Sequence, residues 1–149
     1  MDRSSEDTGD GRAEVALSME ASLSVDVNGS RIAQARHLAA SFLSTVRDTH
    51  SIPVATSAVE IVQLIVSELV TNARKYAPGP ALLQMQVTGN ALRIELWDSN
   101  PLPPAVKAHD PGRIGQHGLE IVTALAQSVS IEATPPGKRI IATVMLNAR

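Results

Sequence analysis

Glu68, Asn72 and Lys75 stand four and three residues apart in the run Ser67-Glu68-Leu69-Val70-Thr71-Asn72-Ala73-Arg74-Lys75-Tyr76-Ala77, which otherwise reads as a buried helix. With about 3.6 residues per turn, the three lie in one narrow arc. Val62, Val66, Leu69, Val70, Ala73 and Ala77 fill the adjacent wide apolar face, the pattern of a helix packed on a core. Ile61, Leu64 and Ile65 continue the polar arc toward the N-terminus, which sets Glu68 and Asn72 at the edge of a pocket. A carboxylate and a carboxamide there cost folding free energy unless a partner satisfies them. A hydrated divalent cation with a nucleoside triphosphate is such a partner. A solvated helix edge, with Glu68 near Lys75, is the plainer alternative.

Two further groups could carry chemistry. Asp98 closes a run of alternating residues just before a proline-rich stretch. It can accept a hydrogen bond from a ligand, or act as a turn residue bonding nearby backbone. The run Gly112-Arg113-Ile114-Gly115-Gln116-His117-Gly118-Leu119-Glu120-Ile121-Val122 sets glycine amides at the start of a helix. Unpaired N–H groups and the helix macrodipole favour an anion such as phosphate there. The run is not a Walker A loop, because it lacks the Gly-Lys-Ser/Thr ending. A surface loop is the plain alternative, and Arg113 and Lys75 either neutralise phosphate or stand as solvated cations.

The elements that must position these residues follow from periodicity. Residues 1–13 are mostly Ser, Asp, Glu and Gly and read as a disordered tail, followed by a single domain over 14–149. Val15, Leu17, Met19, Leu23, Val25 and Val27 partly alternate with polar residues, which predicts one strand or a hairpin over 14–27. Asn28-Gly29-Ser30 is a turn, with Ser30 as an N-cap. Ile32, Ala35, Leu38, Ala39, Phe42, Leu43 and Val46 then recur at helical spacing over 31–49. A second helix over 55–77 carries the Glu68 motif and stops at Pro78-Gly79-Pro80. Two strands, 82–88 and 92–98, are joined by Gly89-Asn90, and Leu92, Ile94 and Leu96 alternate with Arg93, Glu95 and Trp97. Residues 99–115 show no periodicity and read as a lid. A third helix starts near Gly118, and 129–133 with 139–146 form a hairpin around Pro135-Pro136-Gly137. Strand hairpins with helices between them indicate an α+β two-layer sandwich: a mixed, mostly antiparallel sheet with its helices on one face.

Composition removes other classes of function. At 149 residues the chain fits one domain with a core of its own. It contains no Cys, which excludes a disulfide framework, a thiolate metal site and Cys nucleophile chemistry. His37, His50, His109 and His117 lack zinc-ligand spacing. A net charge of −2 offers no basic footprint for nucleic acid. No apolar run reaches the length of a membrane span, so the cytoplasm is the expected location.

The Glu68-Leu69-x-x-Asn72-Ala73 run resembles the N box of the histidine-kinase-like ATPase superfamily. Asp98 is similar to the superfamily's adenine-binding aspartate, and Gly118-Leu119-x-Ile121-Val122 to the end of its second glycine-rich box. The order is also the superfamily's: Glu-x-x-x-Asn helix, strand hairpin ending in Asp, lid, Gly-Leu-x-Ile-Val helix. The likeness covers about Leu23 to Leu146. It implies the Bergerat-type ATP-binding fold, with ATP and Mg²⁺ as ligands. In that reading Asn72 ligates Mg²⁺, and Glu68 is the catalytic residue that orients or deprotonates the nucleophile. Asp98 binds adenine, and Lys75, Arg113, Gly115, His117, Gly118 and Leu119 complete the nucleotide site. Two departures stand out: Asn100 and Leu102 occupy the glycine positions of the Asp-x-Gly-x-Gly pattern, and Gln116 stands where the superfamily often has glycine.

A domain of this size has no room for a phosphoacceptor-histidine domain. It looks most like the small anti-sigma-factor serine/threonine kinases of actinobacterial type. That resemblance implies a bacterial transcription regulator that holds a sigma factor and phosphorylates a serine or threonine of an antagonist (anti-anti-sigma) protein; such domains commonly act as homodimers. Two alternatives stay open: a non-catalytic interaction module with a degenerate nucleotide site, and a free-standing ATP hydrolase.

Overall fold

The computed structural model describes residues 18–25, 31–76, 79–99 and 114–147. Among these the element order is β1 (Ser18–Val25), α1 (Arg31–His50), α2 (Thr56–Tyr76), β2 (Ala81–Thr88), β3 (Ala91–Asp98), α3 (Ile114–Leu125), β4 (Ser128–Thr134) and β5 (Gly137–Met145). The strands form one sheet in the order β1-β2-β3-β5-β4. All four pairings are antiparallel, so the sheet is not mixed among the described strands. The β2–β3 turn is tight, and Gly89 sits there at φ 64°, a backbone conformation that suits a residue without Cβ.

Alternation along the strands decides the two faces. Leu83, Met85 and Val87 of β2, Leu92, Ile94 and Leu96 of β3, and Ile140, Ala142 and Val144 of β5 point to the helices and are buried. They meet Ala35, Ala39, Leu43 and Val46 of α1, Val62, Ile65, Val66, Leu69 and Val70 of α2, and Val122 of α3. The central helix is α2, which packs on α1 and α3 and lies against β3 and β5. The result is the expected α+β sandwich, with helices on one face.

The opposite face is polar and held by ion pairs. Arg139 Nη2 lies 2.6 Å from Glu132 and Nη1 3.2 Å from Glu95, while Arg93 Nε lies 2.6 Å from the other oxygen of Glu95. The Arg139 guanidinium stacks 4.8 Å from the Trp97 ring centroid, and the Trp97 indole N–H donates to Gln84 Oε1 at 3.0 Å. Its hydrogen bond to Glu132 raises the Arg139 pKa.

Three details differ from the sequence reading. Helix α3 begins at Ile114, four residues ahead of the expected start near Gly118. The two glycines lowered the apparent helix propensity of 114–118, yet the backbone there is helical. Ile65, placed on the polar arc by periodicity, is fully buried, whereas Leu64 beside it is exposed. The strand expected over 14–27 is the single strand β1 among the described residues. The tail 1–13, the turn at 28–30, Ala77, Pro78 and residues 100–113 of the lid lie outside the described residues.

Candidate functional site

The polar edge of α2 is the first part of the site. Asn72 is 6% exposed, and its carboxamide makes no hydrogen bond to a described residue. Such a group forfeits about 1–3 kcal/mol when left unsatisfied. One turn earlier, Glu68 is half-buried, and its carboxylate is likewise held by no described residue. Lys75 is exposed and forms no ion pair with Glu68. The Cβ atoms of residues four apart on a helix lie about 5–6 Å from one another, so one ligand can reach both side chains. Neighbouring Ser67 is already committed, since its hydroxyl donates to the Gln63 carbonyl at 2.9 Å.

These donors suit a hard cation carried in with a polyphosphate. A carboxamide oxygen is a neutral, hard ligand, and Mg²⁺ is held by few protein groups with phosphate oxygens and water completing its octahedron. No group of three or more His, Cys, Asp or Glu side chains converges among the described residues. A buried carboxamide beside one carboxylate fits Mg²⁺ bound together with a nucleotide.

The second part lies where β3 ends. Asp98 has the same inward parity as Leu92, Ile94 and Leu96, and its side chain is 2% exposed although the residue as a whole is half-buried. Directly across the sheet stands Lys138. Its Nζ lies 3.1 Å from Asp98 Oδ1 and 3.0 Å from Oδ2, and its side chain is 5% exposed. Removing one member of such a buried pair leaves an uncompensated charge and costs about 3–5 kcal/mol.

The backbone is clamped at the same point. A Cβ added to Gly137 would sit 1.8 Å from the Asp98 carbonyl oxygen, so only glycine lets β5 approach this closely. The Ser99 hydroxyl donates to the Pro80 carbonyl at 3.0 Å, which ties the end of β3 to the chain leaving α2. Replacing Gly137 with Ala must push Asp98 and Ser99 aside. The expected loss is about 1–3 kcal/mol, read as a lowered midpoint in urea unfolding. An unchanged midpoint would contradict this close approach.

The sequence reading did not single out Lys138, and it placed Gly137 in the hairpin turn, whereas strand β5 begins at Gly137. A signal was present, because Lys138 shares the inward parity of Ile140, Ala142 and Val144, and a charge at that position needs a partner.

The third part is the start of α3. The first few N–H groups of a helix have no intrahelical acceptor. With α3 starting at Ile114, the Gly115 amide has no acceptor within the helix. The amides of Gly118 and Leu119 fall inside the helical ladder, a correction to their expected place at the open start of a helix. Leu119 is half-buried. Arg113 and the side chain of His117 lie outside the described residues. The carriers of all three parts are neighbours, since α2 packs on both α3 and β3.

Comparison with known proteins agrees with this architecture. A crystal structure of the RsbU and RsbW domains of Rv1364c from Mycobacterium tuberculosis superposes with a TM-score of 0.63 at 17% identity. The match covers 85% of this chain and 32% of that one, so the chain spans about a third of the length of that relative. The histidine kinase domain of the Erythrobacter litoralis EL346 blue-light activated histidine kinase matches at a TM-score of 0.48 and 17% identity, over 75% of this chain and 61% of that one. At these identities the first likeness speaks to the fold alone. A search of curated protein sequences finds no match. The family model described as the histidine kinase-like ATPase domain matches residues 28–144, well over half of the sequence. On that match, the chain belongs to the histidine kinase-like ATPase domain family.

Proposed function

We propose that this domain binds Mg²⁺–ATP at the α2 edge and works as an anti-sigma regulatory factor. In this reading it holds a sigma factor and phosphorylates a serine or threonine of an antagonist protein. The observation that carries the nucleotide part is the buried Asn72 carboxamide with no partner among the described residues. Family membership supports ATP as the ligand. The regulatory part rests on the sequence resemblance to small anti-sigma kinases, and the likeness in fold to a structure containing an RsbW domain accords with it.

Phosphoryl transfer needs positioning and charge neutralisation more than covalent help. Asn72 would hold Mg²⁺, which when bound neutralises phosphate charge. Glu68, one turn away, orients the incoming hydroxyl and takes its proton as the oxygen attacks the γ-phosphorus; the bond to the β-phosphate oxygen breaks and ADP leaves. The Gly115 amide, with Arg113 and Lys75, offers donors and positive charge to the phosphates. Asp98 would accept a hydrogen bond from the amino group of adenine.

Radiolabelled γ-phosphate tests the reading. With a co-purified partner protein, label is expected on serine or threonine of the partner, with little free phosphate. Rapid phosphate release without any acceptor would favour an ATP hydrolase instead.

A second reading has a specific observation behind it. Both oxygens of Asp98 are already engaged by Lys138, and Asn100 and Leu102 replace glycines. A non-catalytic interaction module with a weak nucleotide site would show binding of a partner protein but no label transfer.

A further inference from the structure

The clamp on Asp98 is more elaborate than closing a sheet requires. Three constraints meet on two residues: the Lys138 ammonium on both carboxylate oxygens, the Gly137 backbone against the Asp98 carbonyl, and the Ser99 hydroxyl on Pro80. From this we propose that Lys138 is a positioning residue for base recognition. It fixes the Asp98 carboxylate as a charge-compensated acceptor for the exocyclic amino group of an uncharged nucleobase. The inference rests on the nucleotide-binding reading above and deepens it.

The physical argument concerns charge and direction. A lone carboxylate at 2% exposure is costly and would attract a cation. The Lys138 ammonium offsets the Asp98 carboxylate charge, which suits a neutral heteroaromatic edge. A carboxylate accepts at about four lone-pair sites, so bonding to an ammonium and to an amino group are compatible. Gripping both oxygens sets the plane of the carboxylate, and that plane decides where an amino group must stand to donate. A sheet-closing role alone would make no distinction between ligands with and without that amino group.

The test measures coupling between residue and ligand. Dissociation constants for Mg²⁺–ATP and for Mg²⁺–purine riboside triphosphate, which lacks the 6-amino group, are compared in parent, Lys138→Arg and Lys138→Met proteins. A hydrogen bond to a charged acceptor predicts that the parent favours ATP by about tenfold or more. Lys138→Arg, which retains a two-point grip, should keep that ratio. Lys138→Met should bring it to within about threefold while both nucleotides still bind through their phosphates. If Lys138→Met does not fold, Lys138→Gln, which leaves Asp98 intact and is uncharged, should show the same collapsed ratio. A full ATP preference surviving in whichever variant folds overturns the inference. Equal binding of the two nucleotides by the parent also overturns it, while leaving the phosphate and metal reading intact. No binding of either nucleotide by the folded parent overturns the nucleotide reading itself, and the inference with it.

Discussion

Asn72→Ala is expected to abolish Mg²⁺-dependent ATP binding while leaving the domain folded. The affinity should fall by about 100-fold or more, equivalent to about 2.7 kcal/mol. Stability should move little, because no described residue hydrogen-bonds the buried carboxamide. The variant's melting temperature without ligand should therefore match the parent's or exceed it slightly, and Mg²⁺–ATP should no longer raise it. That combination is diagnostic. A structural asparagine would give the reverse pattern, a lowered melting temperature with normal ligand protection. Tight Mg²⁺–ATP binding by the variant would show that Asn72 is not the metal ligand.

Glu68→Gln separates binding from chemistry. The substitution keeps the shape and hydrogen-bonding reach of the side chain but removes its ability to take a proton at neutral pH. Nucleotide affinity should stay within about threefold of the parent, and transfer to the protein acceptor should slow by about 100- to 10,000-fold, the usual range for a general base. Single-turnover transfer with labelled ATP reads the chemical step directly. A rate within about threefold of the parent would remove Glu68 from proton transfer and leave it a helix-edge residue.

The α2 motif was legible because both of its signals are local. Val62, Val66, Leu69, Val70 and Ala73 mark the buried face, and Asn72 breaks the pattern within one turn. Strand β3 was legible for the same reason, since inward and outward residues alternate along it. The Asp98–Lys138 pair was not, because its partners are 40 residues apart and meet only through the β3–β5 register. Each residue carries an inward charge that hints at a missing partner, but nothing local says which. The start of α3 was misjudged for a different reason. Two glycines in Ile114-Gly115-Gln116-His117-Gly118 argue against a helix on intrinsic propensity, and α3 packs on α2 regardless. Ile65 shows the limit of periodicity, since an idealised arc cannot tell how far a central helix is wrapped by its neighbours.

The central claim is that the α2 edge is a Mg²⁺-dependent ATP site, and titration calorimetry of the parent protein with ATP tests it most directly. Saturable heat with Mg²⁺ present, greatly weakened when Mg²⁺ is removed, is the result this account predicts. No binding heat in a protein shown by circular dichroism to be folded, or equal binding with and without Mg²⁺, would contradict it.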